Sequence, residues 1–148
     1  MTADDRTADE LIALLDLKPH PEGGFFAETW RHVPEEGGRG AGSAIYFLLK
    51  EGFSSAPHRV DADEAWHFYA GAPVELVVGE RTHLLGIDFD AGERPQWVVP
   101  AHEWQSARTL GEWSLVGCTV SPAFEFEGFD LAADSQTGVS SAVPKQED

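Results

Sequence analysis

The amino-acid sequence predicts a single all-β domain that closes into a barrel or a two-sheet sandwich. Short runs of β-favouring residues recur from Phe25 to Leu131, turn residues separate them, and no helical periodicity lies between them. A chain of 148 residues can bury one core without disulfides or a structural metal. We therefore expect one domain over residues 7–132, with disordered segments at 1–6 and 133–148.

One short helix is predicted before the strands. Thr7 and Glu10 have the spacing of a capping box, and apolar residues then follow at helical intervals. This pattern predicts an amphipathic helix over residues 8–16, with Pro19 preventing its continuation. The predicted strands are Phe25–Trp30, Ser43–Leu49, Ala65–Tyr69, Val74–Val78, His83–Phe89, Gln96–Val99, Ser114–Val120 and Phe124–Phe129.

Charge and cysteine content exclude several classes of protein. The formal net charge of −16 is opposite to the basic footprint that nucleic-acid or anionic-membrane binding requires. No apolar stretch approaches the roughly 18 residues of a membrane span, and residues 1–10 lack the features of a signal peptide. The single cysteine, Cys118, lies in an apolar run and has no partner for a disulfide within the chain. We expect a buried thiol and a cytoplasmic location.

The segment that carries chemistry runs from Gly52 to Gly71 and contains His58, Val60 and Glu64. It resembles the first motif of the cupins, in which a glycine, a His-x-His pair, a glutamate and a closing glycine occupy these positions. All the spacings are kept, and only the second histidine is changed, to Val60.

A second segment, Pro100–Gln105, resembles the second cupin motif more loosely. His102 stands where that motif has a glycine, and Gln105 stands where it has a ligating histidine. Residues of about 10 to 132 are similar to a family of small, functionally uncharacterised single-domain cupins. This resemblance implies a double-stranded β-helix (a cupin jelly-roll barrel) and a homodimer.

The resemblance also indicates which residues could hold a metal. In metal-binding cupins three histidines and a glutamate point into the barrel and suit Mn, Fe, Ni or Zn. This chain keeps His58 and Glu64, offers Gln105 as a neutral oxygen donor, and has the non-ligating Val60. We expect no cofactor, and the alternative is a weakly bound divalent metal on His58, Glu64 and Gln105.

Strand alternation predicts the wall of a small-molecule pocket. Glu64, Trp66 and Phe68 share one face of a strand, whereas His67 lies on the other face and reaches the pocket only through a β-bulge. Trp66 and Phe68 either contact a ligand or fill the core. Without a bulge, His67 packs on the opposite face or at a subunit contact. Gln105 completes the candidate ligand-binding set.

The remaining polar and aromatic side chains are not assigned a function. Four histidines are expected to be ordinary exposed or hydrogen-bonded residues, namely His20, His32, His83 and His102. Glu22 and Glu28, near the N-terminus, are expected to be structural. The alternation of phenylalanine and glutamate from Phe124 to Glu127 is typical of an amphipathic strand.

Three functions fit these observations. One is an isomerase- or epimerase-type enzyme that acts on a sugar-like or other small polar metabolite without a metal, with His58 as base and Glu64 orienting or sharing the proton. The second is a non-catalytic ligand-binding or sensor protein. The third is a weak divalent-metal-dependent enzyme.

Overall fold

The computed structural model describes residues 5–132 and confirms the all-β fold. The predicted disorder at 1–6 and 133–148 lies outside the described residues, apart from Asp5 and Arg6. The elements are α1 (Ala8–Leu15), β1 (Lys18–Pro19), β2 (Phe25–Arg31), β3 (Ser43–Lys50), β4 (Ser55–Val60), β5 (Asp63–Gly71), β6 (Val74–Val78), β7 (Arg81–Leu85), β8 (Gln96–Val99), β9 (Gln105–Thr109), β10 (Trp113–Ser121) and β11 (Phe129–Leu131). Short 3₁₀ helices occupy Phe89–Ala91 and Phe126–Gly128.

Two antiparallel sheets form the barrel. The larger sheet has the order β1-β2-β3-β10-β5-β8, and the smaller has the order β11-β4-β9-β6-β7. Strands β4 and β5 are adjacent in sequence but lie in different sheets, so the chain crosses between the sheets at residues 61–62. This crossing brings the inward faces of the two motif strands to opposite walls of one interior.

The core lies between the two sheets. Inward-facing apolar residues of both sheets are almost completely buried there, as alternation along each strand requires. Burial of each large apolar side chain contributes roughly 1.5–3 kcal/mol. The central cluster consists of Phe47, Leu49, Trp66, Val74, Leu76, Leu85, Val99, Ala107, Val116 and Cys118.

The helix covers the outside of the larger sheet. The capping box is present, with Glu10 N–H donating to Thr7 Oγ1 at 3.1 Å and Thr7 N–H donating to Glu10 Oε1 at 2.8 Å. Leu11 then packs in a cluster with Leu48 and Trp113. The helix ends at Asp16 in a left-handed conformation, before Pro19 is reached. Among residues 5–132, no helix is long and apolar enough to cross a membrane.

Two of the predicted strands are corrected. The strand predicted at His83–Phe89 is β7, which ends at Leu85, and Phe89 begins a 3₁₀ helix. The strand predicted at Phe124–Phe129 is an irregular segment followed by a 3₁₀ helix, and only Phe129 begins β11. Phenylalanine and glutamate alternate here in a segment that covers one end of the barrel.

A clamp of polar contacts holds this covering segment in place. Arg39 donates to both carboxylate oxygens of Asp61 at 2.7 and 3.0 Å and to the carbonyl of Ala123 at 2.7 Å. Asp61 N–H in turn donates to the carbonyl of Gly128 at 3.1 Å. Arg39 therefore holds the Ala123 end of the Ala123–Gly128 segment, and Asp61, which Arg39 fixes in place, holds the Gly128 end.

We predict that Arg39→Ala loosens this segment specifically. The free energy of unfolding should fall by about 1–2 kcal/mol, because charge-assisted hydrogen bonds are lost at a partly exposed site. Amide hydrogen exchange should accelerate over residues 123–131 more than in β3 or β10. The control is Arg108→Ala, which removes an exposed pair with Glu75 and should change stability little. Equal effects of the two substitutions would contradict the clamp.

Candidate functional site

A cavity of about 340 Å³ opens at the end of the barrel that the Ala123–Gly128 segment covers. Its volume lies in the range of roughly 300–1,000 Å³ that is usual for small-molecule sites. Aromatic rings and ionisable groups alternate on its walls. The lining residues are His20, Glu22, Phe26, Glu28, Arg31, Ser43, Ile45, Phe47, His58, Val60, Glu64, Trp66, Cys118, Val120, Phe124, Glu125, Phe126 and Glu127.

The motif residues owe their positions to strand alternation and to two glycine turns. His58 on β4 and Glu64 on β5 both point inward and are 1% and 8% exposed. Gly52 and Gly71, which bracket the motif, have φ values of +87° and +89°, where a side chain is strained. A Cβ at Gly71 would also lie 2.5 Å from the Trp113 carbonyl oxygen. The motif glycines are therefore required by the backbone.

In the second motif, His102 adopts the left-handed backbone conformation that usually requires a glycine. His102 has φ of +73°, and its N–H donates to the carbonyl of Val60 at 2.7 Å. The resulting turn leads into β9, where Gln105 pairs with His58 across the strands. Gln105 thus enters the interior at the position that a cupin histidine would occupy.

His58 is paired with Glu22, a residue that the sequence analysis interpreted as structural. His58 Nε2 lies 3.3 Å from Glu22 Oε1, and both side chains are buried. His58 Nδ1 donates to the Ala56 carbonyl at 2.8 Å, so the neutral ring keeps its lone pair on Nε2. The other oxygen of Glu22 accepts a hydrogen bond from the Ser55 hydroxyl.

Burial keeps this pair in its neutral forms. It raises the pKa of the Glu22 carboxyl to about 8, against a smaller opposing effect of the Ser55 hydrogen bond. Burial also lowers the pKa of His58, and the nearby Glu64 only partly offsets this. Near neutral pH, the proton therefore resides on Glu22 and is directed at the His58 lone pair.

Glu64 belongs to a second buried chain of hydrogen bonds. Trp66 Nε1–H donates to Gln105 Oε1, and Gln105 Nε2–H donates to Glu64 Oε1, each at 2.9 Å. The Cys118 thiol is also hydrogen-bonded to Glu64. Burial raises the pKa of Glu64, and the proximity of His58 lowers it by a smaller amount. His58 and Glu64 thus share one cavity, but each has its own hydrogen-bond partner.

His20 lies inside the cavity rather than on the surface, which corrects its interpretation as an ordinary histidine. Its side chain is only 6% exposed, and its Nδ1 accepts the Glu22 N–H at 3.1 Å. Burial, with His58 acting in the same direction, lowers the pKa of His20 to about 3, so the ring is neutral. Its ring contacts five others, which belong to Phe26, Phe47, Phe124, Phe126 and Phe129.

Two residues proposed as ligand-binding lie outside this cavity. His67 points to the opposite face of β5, where Nε2 lies 3.1 Å from Thr119 Oγ1 and Nδ1 lies 3.3 Å from Gln96 Nε2. A β-bulge is present in β5, but it lies between Phe68 and Ala70, after His67, and therefore does not turn His67 inward. Phe68 packs against the core away from the cavity wall. Both interpretations are therefore corrected.

The other candidates fall on the cavity or directly behind it. His58, Glu64 and Trp66 line the cavity, whereas Gln105 supports it from behind through its two hydrogen bonds. Cys118 is buried as expected, and its thiol also borders the cavity.

The residues that sequence reasoning missed come from the Pro/Gly connector and from the covering segment. Two glycines with positive φ, Gly23 and Gly24, bring the connector so close to β4 that a Cβ at Gly23 would lie 2.3 Å from the Ser54 carbonyl oxygen. The sequence offered no periodic signal for His20 and Glu22, because residues 21–24 form turns and bends rather than a strand.

The donor set does not fit the metal centre of a metal-binding cupin. Gln105 Oε1 already accepts the Trp66 indole N–H, His58 Nε2 faces Glu22, and the second histidine position holds Val60. Within residues 5–132, no three His, Cys, Asp or Glu side chains are arranged to hold a metal ion. The interpretation of Gln105 as a metal ligand is therefore not supported by its geometry.

Two antiparallel sheets around a polar interior define this protein as a cupin-type double-stranded β-helix. The chain belongs to the cupin family described as Cupin superfamily (DUF985), whose model matches residues 9–132. This confirms the resemblance drawn from the two motifs.

Several solved structures are similar to this chain. A hypothetical protein from Leishmania major is 31% identical, with 95% of this chain and 98% of that one covered and a TM-score of 0.77. A protein from Shewanella oneidensis is 38% identical, with 95% and 96% covered and a TM-score of 0.79. KdgF from Halomonas sp. is 19% identical, with 72% and 86% covered and a TM-score of 0.56, which shows a shared fold alone. No curated protein matches the chain.

We predict that Glu22 makes stability decrease with rising pH between about 6.5 and 8. The pKa of Glu22 is about 8 in the fold, against an ordinary value of 4.5, so the folded state binds more protons than the unfolded state in this window. The loss should reach up to about 2 kcal/mol. His20 and His58 oppose this decrease near pH 6.5, because their pKa values are lowered in the fold and their unfolded forms are still partly protonated there, so the net decrease develops mainly above about pH 7.

The measurement is urea unfolding of the wild type and of Glu22→Gln at several pH values. Glutamine keeps the shape of the side chain and does not titrate, so the decrease should become shallower in the variant. Identical slopes for the two proteins would contradict the raised pKa of Glu22.

Proposed function

We propose that this cupin is a metal-independent acid–base enzyme of the isomerase or epimerase type, which moves a proton on a small polar metabolite. The observation that supports it is the buried pair of a neutral imidazole and a protonated carboxyl, with Nε2 and Oε1 3.3 Å apart on the wall of the cavity. Such a pair offers a base and an acid to one bound molecule near neutral pH.

The chemistry follows from the two protonation states. A substrate carbonyl oxygen that accepts the Glu22 proton leaves His58 Nε2 free to take a proton from the adjacent carbon. The C–H bond breaks, an N–H bond forms on His58, and the substrate becomes an enediol-type intermediate. His58 then gives its proton to another carbon, or to the other face of the same carbon, and Glu22 takes back a proton from the enediol oxygen that becomes the product carbonyl. The isomer or epimer is formed, and both groups regain their starting protonation states.

Glu64 has a stabilising role in this scheme. As His58 becomes positively charged, the buried carboxyl of Glu64 favours that charge, which is the direction in which it already shifts the pKa of His58. Gln105 and Trp66 position Glu64 through their hydrogen bonds. Glu22 therefore takes the role of proton partner that the sequence analysis assigned to Glu64.

We also propose that the protein is a homodimer that meets through the outer face of the larger sheet. Exposed aromatic and aliphatic side chains cover this face, with Trp30 53%, Tyr46 36%, Tyr69 50% and Val98 59% exposed. Two copies of a chain with a net charge of −16 repel each other unless they meet through an uncharged surface. His67 lies on this face, so a subunit contact is its proposed role.

We predict that His58→Gln abolishes proton transfer, whereas His67→Gln preserves it. The assay follows deuterium incorporation from D₂O into a panel of hydroxyaldehydes and hydroxyketones by NMR, with neutral, anionic and amino-bearing members. Loss of the base should lower the exchange rate by at least about 100-fold. Each variant replaces one buried or half-buried histidine, on strands that follow each other in the sequence, so His67→Gln controls for loss of an imidazole.

Two outcomes would contradict this function. One is exchange that survives His58→Gln undiminished. The other is thermal stabilisation of the wild type by panel members without any exchange, which would indicate a ligand-binding or sensor protein.

We predict that Val98→Arg converts the dimer into a monomer. One substitution should suffice, because an arginine at this apolar contact would lose its hydration in each subunit when the dimer forms. Sedimentation velocity measures the mass, and Leu110→Arg, in the turn after β9, is the control expected to remain dimeric. A wild-type monomer, or a dimeric Val98→Arg variant, would contradict this interface.

A further inference from the structure

The charged groups around the cavity are almost all carboxyls. Glu22 and Glu64 lie inside it, and Glu28, Glu125 and Glu127 lie towards its opening. The two interior histidines are buried beside one another or against rings, and burial keeps them neutral. The cavity therefore offers no positive charge from its interior walls.

The one guanidinium on the cavity wall is already paired. Arg31 donates to both carboxylate oxygens of Glu28, with Nη2 to Oε2 at 2.7 Å and Nε at 3.0 and 3.2 Å. Glu125 adds a further attraction to it. An anionic ligand would have to break this bidentate contact to obtain a partner, and would approach past three carboxylates.

A cation would find the opposite conditions. Glu64 is only 8% exposed, and a buried carboxyl ionises readily when a positive charge is brought beside it. The rings of Phe26, Phe47 and Trp66 line the same space. Aromatic rings attract an organic cation, and the attraction is strongest where water is excluded.

We propose that the ligand of this cavity is a small organic cation, an amine-bearing metabolite, bound between the Glu64 carboxyl and the aromatic wall, while Glu22 keeps its proton beside His58. The inference rests on the proposed function only in using the same cavity, and its test does not require turnover. In terms of that function, the substrate is an amino-bearing hydroxycarbonyl compound rather than a sugar acid or a sugar phosphate.

The test uses three probes with the same ring and different charge: cyclohexylmethylamine, cyclohexylmethanol and cyclohexanecarboxylate. Titration calorimetry at neutral pH on the full chain should show the amine binding about tenfold tighter than the alcohol. The carboxylate should not bind detectably. Equal or tighter binding of the alcohol or the carboxylate would overturn the inference, as would failure of the amine to bind at millimolar concentration.

Variants connect the preference to the Glu64 carboxyl. Glu64→Gln should lower the affinity for the amine about tenfold and leave that for the alcohol unchanged. Glu75→Gln, which removes a carboxylate from the outer surface where it pairs with Arg108, should change neither affinity. Unchanged amine binding in Glu64→Gln would count against the proposed position. If Glu64→Gln does not fold, the order of the three probes on the wild type decides.

The failure of this inference is distinguishable from that of the proposed function. Tight amine binding without deuterium exchange would support the cationic ligand and contradict the enzyme. Exchange that depends on His58 but occurs only on neutral or anionic compounds would support the enzyme and contradict the cationic ligand.

Discussion

The proposed chemistry of this protein depends on the contact between His58 and Glu22. Two ionisable side chains are buried there at 3.3 Å, and burial opposes charge on each of them. An ionised pair would need compensation for the lost hydration of both groups. The proton instead remains on the carboxyl, and the hydrogen bonds from Ser55 to Glu22 and from His58 to Ala56 fix how the two groups face each other.

The contact between His58 and Glu22 stands where a metal-binding cupin has its histidine ligands. Where a metal-binding cupin has histidines, this chain has Val60, which is apolar, and Gln105, whose amide is used by Glu64 and Trp66. Glu22, from the connector before β2, is the partner of the remaining histidine of the first motif, His58.

The sequence predicted the architecture well because most strands carry an apolar inward face. Strands such as β3, β6 and β10 are recognisable from composition alone, and the capping box located α1 to within a residue. Strands β4 and β9 were missed because their inward positions hold Ser55, His58 and Gln105, the polar groups of the site. The hydrophobic signal is therefore weakest in the two strands whose inward positions carry these polar groups.

The site was predictable to the extent that it follows strand alternation. Alternation along β5 placed Glu64 and Trp66 inside and His67 outside. It could not place Glu22 or His20, because the connector that carries them has no regular period and reaches the barrel through turns at two glycines. Contacts between segments distant in sequence, such as Glu22 with Ser55, arise only when the fold is formed.

The protonation state of Glu22 tests this account most directly, and infrared spectroscopy observes it. A difference spectrum between the wild type and Glu22→Gln at neutral pH should contain the carbonyl band of a protonated carboxylic acid, and this band should titrate with a pKa of about 8. A carboxylate band at neutral pH, with titration of Glu22 in the ordinary range of a glutamate, would contradict the neutral pair and the acid–base chemistry derived from it.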